Sequence, residues 1–141
     1  MDADLIGLLL GIAFGVVAIF LVRRFDGEPW MYAYALLVLP FIYVVFAVVN
    51  DAPNTAGKEF AAGVPFIAAG IALLWFKVPY ATMIVGAFWV LHAIYDVVHD
   101  EIFINRHVPD WYPLACFGTD LVIGGYLLWL GVRERRPAQA V

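Results

Sequence analysis

Five stretches of this chain, residues 5–22, 31–49, 60–76, 78–95 and 111–132, are each apolar and long enough to cross a hydrocarbon core of about 30 Å at about 1.5 Å per helical residue. Together they take up most of the 141 residues, and the connections between them are too short to fold alone. With 65% of residues hydrophobic and 14% charged, lipid rather than water is the expected main solvent. Backbone groups in lipid must be satisfied within the protein. The expected fold class is therefore all-α: an integral membrane bundle of five transmembrane helices at about 4–24, 31–50, 59–76, 79–100 and 111–132, forming one domain over 1–141.

The first span is followed by Arg23 and Arg24 rather than by a small-residue cleavage site, so it is expected to remain as a span rather than be removed as a leader. Five spans put the chain ends on opposite sides, and the basic residues decide which side is cytoplasmic. One set of connections holds Arg23, Arg24, Lys77, Arg133, Arg135 and Arg136, while the other holds Lys58 and Arg106. That asymmetry predicts the N-terminus outside and the C-terminus inside, in a cell (inner) membrane. Trp30, Trp75, Trp111 and Trp129 fall near span ends, as an interfacial belt requires; Trp89 lies mid-span and needs a partner. The break between spans three and four rests on Lys77, Val78 and Pro79, where proline disfavours a continuous helix.

Gly7, Gly11 and Gly15 recur every fourth residue and lay a smooth stripe along span one, where another helix can approach closely. Further copies of the chain are one expected partner for this stripe. Pro40 and Pro65 sit inside spans two and three and are expected to bend them. The lone Cys116 says nothing of redox compartment and reads as an apolar filler one turn before Asp120. Tyr32, Tyr34, Tyr43 and Tyr126 read as packing or belt residues, and Tyr95 adjoins the ionisable positions of span four.

Those positions carry the functional content. At about 100° per residue, His92, Asp96 and His99 stand at about 0°, 40° and −20° around the fourth helix, on one narrow face. An ionisable side chain facing hydrocarbon costs a few kcal/mol, so this face is expected to point into the bundle. Span five returns antiparallel beside span four. His92 lies ~12 Å below Asp100, and Asp120 lies ~13 Å below Trp111, so the two are level and are expected to pair. All carboxylates except Asp26, Glu28 and Glu134 gather on or near the outer side, including Asp51, Glu59, Asp100, Glu101 and Asp110, a surface that attracts cations.

His and Asp three or four residues apart on one helix can reach a common ion, as in zinc and non-haem iron sites. Two arrangements are open: a deep one from His92, Asp96 and Asp120, and a shallow one from Asp96, His99 and His107. In either, the cofactor is a divalent metal, zinc or iron, and Asp96 and Asp120 are the candidate catalytic carboxylates, as ligand or base. Three function classes stay open: a metal-dependent enzyme acting on a lipid or other apolar small molecule; a non-enzymatic structural or transport subunit whose His/Asp pair is packing or an ion path; and metal-free acid catalysis on an isoprenoid-like substrate. Walker, Rossmann, G-x-S-x-G and C-x-x-C patterns are absent, and nucleic acid is not an expected partner.

The run 92–99, followed by Pro109, Asp110, Trp111, Tyr112, Pro113 and Asp120, resembles small bacterial multi-pass membrane proteins of unknown function, over roughly the C-terminal half. That resemblance implies a membrane bundle and no activity. The chain is more loosely similar to membrane-embedded hydrolases that hold zinc with His and Asp from several helices, but lacks their serine and their paired histidines on separate helices.

Overall fold

The computed structural model describes residues 3–102, 105, 106 and 108–134. They form α1 (Ala3–Arg24), α2 (Trp30–Val49), α3 (Pro53–Trp75), α4 (Ala81–Ile102) and α5 (Tyr112–Glu134), with no strand among the described residues. All five are long and apolar enough to span a membrane. Large apolar side chains such as Leu9, Phe14, Phe20, Val45, Ile94 and Val97 stand on the outside, as hydrocarbon contact requires.

The helix ends follow local chemistry. α3 stops at Trp75 and α4 starts at Ala81, so Lys77, Val78 and Pro79 do divide two helices; Tyr80, at φ 61°, completes the reversal in the left-handed region. α3 begins at Pro53, earlier than the expected residue 59. Proline at the first helical position has no amide hydrogen to lose and a φ suited to helix, so it opens α3 well before the apolar run begins. The polar stretch 54–58 is thereby helical, and Glu59 becomes an interior residue of α3.

α2 pairs with α3, α4 pairs with α5, and α1 packs on α5; contacts of α4 to α3 and α2 join the two pairs. Small residues set the spacing. A Cβ added at Gly86 of α4 would lie 2.9 Å from the Leu128 amide nitrogen, and one at Gly124 of α5 would lie 2.9 Å from that of Val90, so the two backbones touch there. The stripe on α1 works in the same way. A Cβ at Gly11 would collide with the carbonyl oxygen of Ala115, and one at Gly15 would lie 3.0 Å from that of Thr119. Within the chain this stripe is packed by α5, and Thr119 Oγ1 donates to Gly11 O across the contact at 3.0 Å.

The core on the side away from the 103–111 connection is built from Val22, Tyr32, Leu36, Val85, Trp89, Ile123 and Leu127. Trp89, unexplained in the sequence, is buried, and its indole Nε1–H donates to Tyr32 O at 3.2 Å while its ring meets Tyr32 edge-on. Gly11→Leu is expected to destabilise the bundle by at least the ~1–3 kcal/mol typical of overpacking, because backbone atoms of α5 cannot move aside. Leu10→Ala, at a position 60% exposed, is expected to be close to neutral. Thermal stability in detergent checks the pair, and equal tolerance would contradict the α1–α5 contact.

Candidate metal centre

His92, Asp96 and His99 share one face of α4, and that face is buried: their exposures are 2%, 1% and 0%. Each then needs a partner from another helix. α5 supplies the first. His92 Nδ1–H donates to Asp120 Oδ2 at 2.7 Å, across the close α4–α5 approach that the two glycines allow. Asp96, one turn further along α4, places Oδ2 3.6 Å from the same ring nitrogen. Phe66 of α3 covers the imidazole edge-on, with ring centroids 4.8 Å apart.

Two carboxylates and one imidazole thus converge, with one ligand atom from each within 4.8 Å of the others. A tetrahedral ion with bonds of about 2.0–2.2 Å holds its donors roughly 3.3 Å apart. The 2.7 and 3.6 Å from His92 Nδ1 to Asp120 Oδ2 and Asp96 Oδ2 bracket that spacing, and an ion held there would take the place of the proton that Nδ1 shares with Asp120. Asp96 Oδ1 accepts from the Tyr43 hydroxyl of α2 at 2.8 Å, while Oδ2, equally buried, has no hydrogen bond among the described residues. That is an expensive state for a buried oxygen, and this oxygen faces His92.

A second cluster lies one to two turns along α4. Glu59, 2% exposed, accepts from His99 Nε2–H at 2.8 Å and Asn105 Nδ2–H at 2.8 Å on Oε1, and from the Tyr95 hydroxyl at 2.9 Å on Oε2. The other ring nitrogen of His99 meets Asp100 Oδ1 at 3.0 Å. Tyr43 links the clusters: its hydroxyl reaches Asp96, its ring stacks on His99 at 4.4 Å, and its carbonyl oxygen accepts from Asn105 Nδ2 at 3.4 Å.

The deep arrangement of His92, Asp96 and Asp120 therefore comes together. The shallow one does not form among the described residues: Asp96 turns to His92 and Tyr43, both ring nitrogens of His99 engage other carboxylates, and His107 lies outside the described residues. Cys116 lines a crevice beside Asp120 but is not one of the three converging groups. Sequence reasoning missed Glu59, Tyr43 and Asn105. Once α3 starts at Pro53, Glu59 falls in helical register with Gly63, Phe66 and Gly70 on the buried face. Tyr43 likewise shares the buried face of α2 with Leu36, Pro40 and Ala47.

Glu59→Leu strands a buried imidazole and two further donors, with an expected cost of about 3–5 kcal/mol; Glu59→Gln, which keeps an acceptor, is expected to lose about 1–3 kcal/mol. Unfolding in mixed detergent measures both, and a neutral Glu59→Leu would contradict the burial of this cluster. Compared with protein-family models, with curated proteins and with solved structures, the chain gives no match, so no known relative supports the resemblances suggested by its sequence.

Proposed function

We propose that His92, Asp96 and Asp120 hold a divalent cation inside a membrane-embedded helix bundle, and that this centre activates water against a substrate arriving from the bilayer. The observation that carries the proposal is the charge inventory of the interior. Among the described residues, three carboxylates, Glu59, Asp96 and Asp120, are buried against two imidazoles, His92 and His99, while every Lys and Arg is exposed. Glu59 has His99 with two neutral donors, which leaves Asp96 and Asp120 sharing one imidazole. Two carboxylates beside one imidazole in an apolar surround need a positive charge, and an imidazole that ligates a metal is neutral and does not provide it. A zinc or ferrous ion supplies it and suits one nitrogen and two oxygen donors, with sites left for water and substrate.

In this reading each ligand has a support. Tyr43 orients Asp96 through Oδ1 and leaves Oδ2 for the ion; Phe66 fixes the plane of His92; the Glu59–His99–Asn105 cluster holds Tyr43 in place. A metal held by these residues would supply an acidified water. Asp120, which borders the apolar crevice shared with Cys116, is the carboxylate placed toward substrate and would hold or pass a proton there. The bundle is oriented with its N-terminus outside and its C-terminus in the cytoplasm, a reading supported by the basic residues at the 23–24, 77 and 133–136 positions.

Protein purified in detergent from metal-replete cells is expected to carry stoichiometric zinc or iron, lost in Asp96→Asn. Replacing the three together, as His92→Phe with Asp96→Asn and Asp120→Leu, is expected to leave the bundle folded, because no buried charge is then left without a partner, while metal disappears. Metal analysis and circular dichroism read the two properties separately. Absence of metal after reconstitution with zinc and with ferrous iron would favour the cluster as a helix–helix lock whose spare charge is neutralised by a proton. For orientation, a reporter fused after Val141 is expected to read cytoplasmic and one near Asn54 external; the reverse would put the 103–111 connection on the cytoplasmic side.

A further inference from the structure

α1 packs on α5 rather than on α2, and a crevice of about 280 Å³ opens between these three helices along the half of the bundle nearer the 103–111 connection. Its walls are Leu10 and Phe14 of α1, Leu39 and Ile42 of α2, and Cys116 of α5; Asp120 also lines it. Leu10 and Phe14 are 60% and 64% exposed, on the surface that hydrocarbon covers, so the crevice opens sideways into the bilayer. Asp120 is 1% exposed and joins this apolar space directly to the His92–Asp96–Asp120 cluster.

We infer that this crevice binds the hydrocarbon chain of a single-chain lipid whose uncharged, oxygen-bearing head group lies at Asp120. The identity of the head group rests on the metal proposed for His92, Asp96 and Asp120; the chain site rests on the crevice alone. Three features select this occupant. Its volume of about 280 Å³ falls just below the roughly 300–1,000 Å³ of sites that enclose a drug-sized ligand, which suits a slender segment of chain whose remainder lies in the bilayer. Its apolar walls and sideways mouth favour a ligand that already partitions into the membrane. At its polar end, a divalent ion balanced by two carboxylates leaves no net charge for an anionic head to neutralise. A hydroxyl or ester carbonyl therefore fits there better than a phosphate or carboxylate, whose extra charge would be buried without a partner.

A photoreactive hexadecanol carrying a mid-chain diazirine tests this on intact protein in lipid nanodiscs, with adducts mapped by mass spectrometry and metal content measured on the same samples. Adducts are expected on the crevice segments of α1, α2 and α5, and unmodified hexadecanol is expected to displace them while palmitate competes roughly tenfold less well. Hexadecanol is also expected to slow alkylation of Cys116 by N-ethylmaleimide. Leu10→Trp, at an exposed position that tolerates bulk, and Ile42→Trp, from the opposite wall, are each expected to reduce adduct yield roughly tenfold without loss of metal. Adducts spread evenly onto the outer face of α4 at Ile94 and Val97, or unchanged in both tryptophan variants, would overturn the chain site. Crevice labelling on protein that holds no metal would uphold the chain site and remove the metal reading. Equal competition by palmitate and hexadecanol would overturn the neutral head group.

Discussion

Charge placed inside an apolar bundle has to be matched by neighbours, and the hydrogen bond between His92 and Asp120 is where this protein begins to meet that demand. It ties α4 to α5 at the depth where hydration is least available. Around it the matching continues outward: Tyr43 from α2 on Asp96, Glu59 from α3 on His99, Asn105 from the connection on Glu59. Four of the five helices thus contribute to one polar interior, and each polar group constrains where its helix can sit. α1 contributes no ionisable side chain to it and is held instead by close backbone contact with α5.

That division follows from what holds helices together in lipid. Apolar side chains gain little by exchanging lipid for one another, so close packing and interhelical hydrogen bonds carry the assembly. The α4–α5 pair uses both: small residues at Gly86 and Gly124 bring the backbones together, and the His–Asp bond then spans the short remaining gap. A larger residue at either glycine would push the helices apart and lengthen a 2.7 Å contact that tolerates little lengthening. Glycine packing and the buried cluster are for that reason one device.

The same economy of contact leaves the crevice open. Because α1 leans on α5, the wall it forms with α2 is incomplete, and an apolar space runs from the membrane-facing surface to Asp120.

Much of this was legible in the chain before any coordinates. Length and apolarity gave five helices, Pro79 marked the α3–α4 break, the 100° period put His92, Asp96 and His99 on one face, and counting residues from the span ends put His92 level with Asp120. Each of these is a property of one helix or of two joined by a short connection, so local geometry decides it. Glu59, Tyr43 and the fate of the glycine stripe were not legible in the same way. Glu59 was hidden because its helix starts at Pro53, inside a polar stretch that reads as a loop, and Tyr43 because a tyrosine on an apolar helix looks the same whether it packs or bonds. Which helix meets which depends on non-local contacts between surfaces that lipid would otherwise cover equally well, and only the tertiary packing chooses among them: α5 against the stripe of α1, α2 and α3 against α4, and, from these, two carboxylates left to share one imidazole.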